Sequence, residues 1–422
     1  MNVFDEFLWR GLVYDSTEGL RELFETEKIT AYIGFDPTAS SLHVGSLMTI
    51  MGLVRLQKFG HTPIAVAGGG TGLIGDPSFK ANERQLLSKE EVQSNVEAIK
   101  EQLSHFLDFE CKTNPAILVN NADWLTTICL TDFLRDIGKH FSVNVMIAKE
   151  SIKRRMEQEG ISFTEFAYVL MQSYDFLKLF EMHHCILQMG GSDQWGNITA
   201  GADLIRRVRG AKAHALVWPL LMTSSGTKFG KTETGTIWLD AKRTSPYRFY
   251  QFWLNTEDRD VVNYLKYFTL LTQSEIEDLA ASLAAHPEKR EAQKKLAQEV
   301  TCLVHGLEAL NKAEQASRIL FGEVISNLSL QDLLDVFADV PSVTLSRSQF
   351  EGQGLSVVDV IALAALAPSK GEAKRLIQGG GVYLNNVRVS DIKNVVTLNE
   401  AVEGQAVILR KGQKEYRMVR LS

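Results

Sequence analysis

Between residues 29 and 67 the chain writes a buried strand, a helix and a second buried strand in immediate succession. Residues 29–35 form an almost unbroken apolar run. Residues 44–59 carry apolar side chains at helical spacing (Leu47, Ile50, Met51, Val54), and Gly60-His61 turns the chain into a second run at 63–67. Strands without polar alternation are buried on both faces, and a helical crossover between two such strands returns the chain in the same direction. The stretch therefore predicts a parallel, doubly wound α/β sheet with right-handed connections.

Further elements fit that plan. Helical patterns cover 132–146 and 162–180, a strand is expected at 185–189 before Gly190-Gly191, and 247–321 is nearly all helical, with Tyr264, Leu265, Phe268 and Leu270 as core. Around 322–354 the periodicity weakens and a tether is expected. With 422 residues the chain is too long for one ordinary core. Its composition, 45% hydrophobic and 23% charged, is that of a globular protein, and no apolar run is long enough for a membrane span. Asp5 and Glu6 stand where a signal peptide carries basic residues. Four cysteines without metal-type pairing suit a reducing cytoplasm. From Gly354 to Ser422 ten Lys and Arg face six Asp and Glu, +4, so the remainder carries −10 of the chain's net −6. A basic tail on an acidic body is the pattern of a polyanion-binding end, and equally of a solvated surface.

Two glycine-rich segments imitate nucleotide motifs. Gly70, Gly72 and Gly75 spell G-x-G-x-x-G, but Asp76-Pro77 follows at once and the residues 20 positions on (92–100) look helical, which argues against a dinucleotide fold. These glycines are expected to let backbone approach a ligand, with Asp76 pointing into the pocket. Gly226-Thr-Lys-Phe-Gly-Lys-Thr232 is one residue short of a P-loop, and 236–239 reads as strand where a P-loop needs a helix. Lys228 and Lys231 can still clamp phosphate as point charges on a flexible loop; an ordinary solvated basic turn has the same composition.

Taken together, His43-Val-Gly-Ser46 after the first strand and Lys228-Phe-Gly-Lys-Thr232 after the sheet resemble the two signatures of class I aminoacyl-tRNA synthetases. Tyr32-Ile-Gly-Phe-Asp-Pro-Thr38, Thr71-Gly-Leu-Ile-Gly-Asp-Pro-Ser78, Gly138-Lys-His-Phe-Ser-Val-Asn144 and Gly190-Gly-Ser-Asp-Gln-Trp-Gly-Asn197 are similar to the bacterial tyrosyl-tRNA synthetases within that class. Ala373-Lys-Arg-Leu-Ile-Gln-Gly-Gly-Gly-Val-Tyr-Leu-Asn385 resembles the S4-type RNA-binding domain that ends them. The resemblance runs nearly the full length. It implies a Rossmann-like catalytic domain with a helical insertion and dimer interface (1–222), a signature loop and helical domain (223–321), a linker (322–353) and a small α+β S4-like domain (354–422).

The implied chemistry is attack of the tyrosine carboxylate on the α-phosphorus of ATP, then transfer of tyrosine to the 3′ end of its tRNA. A carboxylate is already nucleophilic, so the first step asks for positioning and charge stabilisation rather than a general base. By resemblance, Thr38 and His43 bind the polyphosphate, and Lys80, Arg84, Lys228 and Lys231 hold the departing pyrophosphate with Thr232 alongside. Gly34, Asp36, Gly45, Gly191 and Asp193 match nucleotide-contacting positions. Tyr32 and Asp175 match partners of the substrate phenol. Asp76, Tyr168 and Gln172 match positions around the α-ammonium, with Asn121, Thr71 and Gln194 nearby. Tyr168, Gln172 and Asp175 stand at i, i+4, i+7, one face of one helix, a pattern that a polar surface stripe would share. The family usually places His or Asn where this chain has Ser46, a shorter group that can donate to ATP or bond back toward the Leu42 carbonyl.

Mg²⁺ is expected to arrive with ATP, and no protein metal cage is predicted. The partners implied are tyrosine, ATP, the cognate tRNA and a second copy of the chain, with Phe163 and other apolar residues of 130–170 at the dimer interface. Lys370, Lys374, Arg375 and Arg388 would contact tRNA phosphates. Two alternatives differ in kind: a tryptophan-activating or other class I adenylate-forming enzyme, and an RNA-binding protein whose catalytic half has decayed. Tyr32, Asp76 and Asp175 together disfavour the first, and the retained Lys228 and Lys231 disfavour the second.

Overall fold

The structure is a computed structural model. It describes residues 2–76, 86–149, 152–153, 156, 160–222, 229–232, 235–319, 322–325, 328–338, 340–412 and 415–422, and for 231–232 the backbone alone. The chain divides into two compact units, Met1–Arg243 with Thr256–Leu296, and Thr244–Asn255 with Ala297–Ser422.

The first unit is built on a six-stranded sheet. In chain order its strands are β1 (Asp15–Ser16), β2 (Thr30–Phe35), β3 (Thr62–Ala67), β4 (Ile117–Asn120), β5 (Cys185–Gly191) and β6 (His214–Trp218). They lie in the order β1-β6-β5-β2-β3-β4, all parallel except the two-residue β1 at the edge. From β2 the chain winds outward through β3 and β4, then returns to the other side of β2 with β5. That reversal between β2 and β5 is the topological switch point, where the C-terminal strand ends splay and leave a crevice. Helix α1 (Val44–Lys58) crosses from β2 to β3; helices α2 (Lys89–Ser104), α3 (Phe163–His183) and α4 (Trp195–Arg209) cover the faces. Of the apolar positions expected of α1, Leu47, Ile50 and Met51 are fully buried and Val54 is half-buried.

Two sequence expectations differ from the structure. The single helix over 132–146 is broken into Leu130–Asp136, a 3-10 turn at Gly138–His140, and Val143–Ile147. Gly138 sits in the middle of that pattern, where it favours a break in the helix. The presumed tether at 322–354 holds a helix, Leu330–Val336, and a strand, Ser342–Leu345, which are too short to show a period of their own.

In the second unit that strand closes a five-stranded sheet, pairing in parallel with Glu415–Leu421. Helices Val357–Leu363 and Lys370–Gln378 share an apolar core with this sheet, including Val357, Ile361, Ile377, Val382 and Val419. The helical region expected at 247–321 is divided. Asp258–Phe268 and Gln273–Ala285 belong to the first unit, and Pro246–Leu254 belongs to the second.

The C-terminus of helix Asp258–Phe268 explains its place beside α1. Its last carbonyls and the following loop are capped by two buried guanidiniums. Arg55 of α1 donates to the carbonyls of Lys266 (3.0 Å), Tyr267 (2.8 Å) and Thr269 (2.8 Å). Arg10 donates to Lys266 (2.8 Å), Thr269 (3.3 Å) and Leu271 (2.7 Å), and its Nε to Glu6 at 2.6 Å. Cations at a helix C-terminus satisfy orphan carbonyls and the helix dipole together.

Candidate active site at the switch point

Strand β2 is buried from Ala31 to Phe35 except at Gly34, which is exposed and beside which an added Cβ would meet nothing within 4 Å. An open position inside a central strand marks the mouth of the crevice. Asp36 follows at the strand's end, and across the switch point Gly191 ends β5 with Asp193 two residues on. Thr38 is exposed in the loop after β2.

One side of the crevice is a hydrogen-bonded pocket. Asp175 on α3 is 4% exposed and accepts from Asn121 Nδ2 at 2.8 Å and Trp124 Nε1 at 2.7 Å. Burial outweighs those two donors and lifts its carboxyl from the ordinary 3.8 to about 8, with the negative charge of Asp36 adding to the rise. Asn121 also donates to Thr71 Oγ1 (2.9 Å) and accepts from the Gly70 (2.7 Å) and Thr71 (3.4 Å) amides. Thr71 Oγ1 in turn donates to Asp36 at 2.8 Å, whose other oxygen accepts from Tyr168 Oη at 3.0 Å. The network therefore orders Asp36, Thr71, Asn121, Tyr168 and Asp175 through groups that all have defined donor and acceptor roles.

Tyr32 is 2% exposed, packs edge-on against Phe176 at 5.3 Å, and its hydroxyl is buried without a partner among the described residues. Burial and the charge of Asp175 push its phenol pKa up, so it stays protonated and able to donate. A buried hydroxyl of that kind suits a polar group brought by a ligand.

A second strip lies along the rim. Gln194 Nε2 donates to Asp76 at 2.6 Å, and Gln172 Nε2 donates to Gln194 Oε1 at 3.3 Å. The structure thus joins Asp76, Gln172 and Gln194, and Asn197 is added to them (Nδ2 to Gln172 Oε1, 3.1 Å; to Gln194 Oε1, 3.3 Å). Trp124 and Asn197 were not among the residues singled out from sequence. Trp124 stands three residues after Asn121 on the same short helix, a spacing that could have signalled it.

The glycines of 68–70 also lie close against the protein's own side chains. A Cβ on Gly68 would collide with Asp36 and Thr71, on Gly69 with Asn120, and on Gly70 with Leu125. The loop approaches the protein's own pocket side chains, and that close approach requires glycine.

The first signature opens α1. His43 is its N-cap, with Nδ1 accepting from the Gly45 amide at 3.0 Å. An acceptor Nδ1 places the ring proton on Nε2, so the imidazole presents a donor at its far side while the helix N-terminus adds its own positive end. Gly45 is required here, because a Cβ would lie 2.7 Å from His43 Cε1. The second signature is tied to this N-terminus by backbone. Val44 N donates to Ile237 O (3.0 Å), Leu239 N to Leu42 O (2.9 Å), and Ile237 N to Gly230 O (3.1 Å), while His43 pairs with Trp238 as a β-bridge. Lys231 and Thr232 lie on a strand that pairs with Gly235–Thr236, a shorter piece than the strand expected at 236–239. Phe229 anchors the segment, stacked on Phe268 at 5.4 Å and edge-on to Tyr264 at 5.0 Å. Lys80, Arg84 and Lys228 lie outside the described residues, as do the side chains of Lys231 and Thr232.

The Leu42 carbonyl expected to receive Ser46 is instead bonded by Ser41 Oγ (2.7 Å) and Leu239 N. The Ser46 hydroxyl is half-buried in the first turn of α1 and has no partner among the described residues. Its loss should be felt only through ATP. Ser46→Ala is expected to raise the KM for ATP by no more than about tenfold, one hydrogen bond's worth, with KM for the amino acid unchanged in steady-state exchange assays.

In the second unit Lys374, Arg375 and Arg388 are exposed, and Lys370 pairs with Asp359 at 2.7 Å.

The chain matches the model of the class I tRNA synthetases for tryptophan and tyrosine over residues 25–322, and that of the tyrosine–tRNA ligase C-terminal domain over 332–419. It is 57% identical over 420 residues to the tyrosine–tRNA ligase of Roseiflexus castenholzii, covering 99% of each chain. Its identity to that of Geobacillus stearothermophilus is 52% over 423 residues, covering 100% of each. Among solved structures it is similar to a C-terminally truncated mitochondrial tyrosyl-tRNA synthetase of Aspergillus nidulans. There the identity is 30% and the TM-score 0.70, over 76% of this chain and 94% of that one. A tryptophanyl-tRNA synthetase from Encephalitozoon cuniculi shares the fold at 14% identity and TM-score 0.53, over 73% of this chain and 87% of that one. With its sheet order, two signatures and full-length identity, the chain belongs to the tyrosine–tRNA ligase family of class I aminoacyl-tRNA synthetases.

Proposed function

We infer that the chain activates tyrosine with ATP and passes it to the 3′ end of the cognate tRNA. The observation that carries the tyrosine assignment is the buried Asp175, fixed by Asn121 and Trp124, in the pocket that also buries the unpartnered Tyr32 hydroxyl. A cavity that merely fits an aromatic ring rejects phenylalanine weakly. One whose buried polar groups are left unpaired without the phenol rejects it strongly. Asp76, Tyr168, Gln172 and Gln194 would receive the α-ammonium and carboxylate end.

ATP would lie over Gly34 and Gly45, its ribose hydroxyls on Asp193 and its phosphates at His43 and Thr38. Mg²⁺ enters as MgATP, coordinated chiefly by the phosphates. The substrate carboxylate forms a bond to the α-phosphorus as the bond to the bridging oxygen breaks, and pyrophosphate leaves with the electron pair. His43 Nε2–H and the α1 N-terminus would stabilise that developing charge, assisted by Lys80, Arg84, Lys228, Lys231 and Thr232. A terminal ribose hydroxyl of tRNA then attacks the tyrosyl carbonyl and AMP leaves. Lys370, Lys374, Arg375 and Arg388 would hold distant tRNA phosphates. We place the reaction in the cytoplasm, a reading supported by four free cysteines.

The test is pyrophosphate exchange into ATP across a panel of amino acids. Stimulation by tyrosine is expected; a stronger response to tryptophan, or none to any amino acid, overturns the assignment.

The active form is proposed to be a homodimer. Leu130 (70% exposed), Leu134, Val143, Val145 and Phe163 (78% exposed) are large apolar side chains left in solvent within 130–163. Such a concentration marks an interface. Sedimentation velocity should give a dimer for the wild type and a monomer for Phe163→Asp.

A further inference from the structure

The rim of the pocket contains three carboxamides whose orientations form a single chain of dependence. An ionised carboxylate only accepts hydrogen bonds, so Asp76 obliges Gln194 to turn its Nε2 inward, as it does at 2.6 Å. Gln194 Oε1 then faces away and must accept, and it accepts from Gln172 Nε2 at 3.3 Å. That turns Gln172 Oε1 outward as another acceptor. Asn197 closes the sequence: its Nδ2 donates to Gln172 Oε1 at 3.1 Å and to Gln194 Oε1 at 3.3 Å.

Asn197 is buried near the start of α4, three residues past the end of the 3-10 turn that carries Asp193 and Gln194. Asparagine is a poor helix former, and a local preference broken at a buried position is the pattern of a residue kept for its hydrogen bonds.

We propose that Asn197 is a positioning residue for tyrosine. Resting on the functional reading above, it holds both glutamine amides so that their NH₂ groups serve Asp76 and the pocket, which fixes the end of the site that receives the amino acid's charged groups. The geometry makes its donor character, rather than its size, the operative property. Asn197→Asp keeps the shape and replaces both donated bonds by repulsion toward two carbonyl oxygens. The relieved arrangement turns Gln172 and Gln194 over, and then Gln194 Oε1 confronts Asp76.

The experiment is tyrosine-dependent pyrophosphate exchange by wild type, Asn197→Asp and Asn197→Leu, with KM measured separately for tyrosine and ATP and melting temperature recorded for each. Asn197→Asp is expected to raise KM for tyrosine about tenfold or more, while KM for ATP moves less than about twofold. Asn197→Leu, which removes the bonds without adding repulsion, is expected to fall between it and wild type. The proposal is overturned if wild type uses tyrosine and Asn197→Asp has a wild-type KM for it. It is also overturned if both KM values rise together as the melting temperature falls, which is what a purely structural residue would give. Failure of the wild type itself to respond to tyrosine would count against the functional reading instead.

Discussion

Asp175→Ala should lower kcat/KM for tyrosine by about a hundredfold to ten-thousandfold while binding of ATP survives. Three losses coincide at that position. The substrate hydroxyl loses a buried partner, and Asn121 Nδ2 and Trp124 Nε1, which now donate to Asp175 at 2.8 and 2.7 Å, are left buried and partly unsatisfied. Selection should suffer as much as rate, because phenylalanine no longer leaves anything extra unpaired. Exchange assays with both amino acids measure the two effects together; wild-type tyrosine kinetics in the variant would remove Asp175 from the pocket.

The same carboxyl makes a pH prediction whose sign follows from its environment. Burial raises it from 3.8 to about 8, so the folded chain holds this proton where the unfolded chain has released it. The folded state binds more protons between those values, and its stability must fall as pH rises through that interval. The contribution is fully present below about pH 4 and gone above about pH 8. Asp175→Asn cannot titrate. Urea denaturation at several pH values should show a shallower decline for Asp175→Asn than for wild type.

His43→Ala should lower the rate of adenylate formation by about a hundredfold or more, and His43→Asn should lower it nearly as much. The pair separates two duties of one side chain. Nδ1 caps α1 by accepting from Gly45 N, and that duty contributes on the order of 1 kcal/mol. Asparagine is itself a favoured N-cap, so His43→Asn should melt close to wild type while His43→Ala melts lower. Neither retains a donor where Nε2–H stands. If His43→Asn forms adenylate at the wild-type rate in single-turnover experiments, the residue is a cap and nothing more.

The architecture was readable because its strands are central and therefore uniformly apolar: β2, β3 and β5 each fall within about two residues of the positions that sequence pattern assigns. What escaped was short or edge-bound. The two residues of β1 and the four of Ser342–Leu345 cannot establish a period. The pocket residues were reached through short motifs, and the structure brings Tyr32, Asp76, Gln172, Asp175 and Gln194 to one end of the sheet from segments far apart in sequence. Spacing alone does not distinguish Tyr168, Gln172 and Asp175 from a solvated stripe. The burial of Tyr168 and Asp175 does, and burial depends on the whole fold. Asn197 was invisible for a related reason, since its partner Gln172 comes from another helix and a donor's role is defined only once its acceptor is in place; for Trp124 only its spacing from Asn121 offered a signal.

Chain termini are commonly treated as expendable, the natural place to trim or to append a tag. Here the opening helix, Val3–Trp9, leads directly into Arg10, whose guanidinium is buried against the carbonyls of Lys266, Thr269 and Leu271. Deleting the first ten residues would strip the Leu271 carbonyl of its guanidinium donor and leave Arg55 to hold those of Lys266 and Thr269 alone. That helix presents Tyr264 and Phe268 to Phe229, and Phe229 sits beside the glycine whose carbonyl steadies the strand next to His43. A truncation chosen for its distance from the pocket would thus act on the segment at Phe229–Gly230, beside the residues proposed above to handle phosphate.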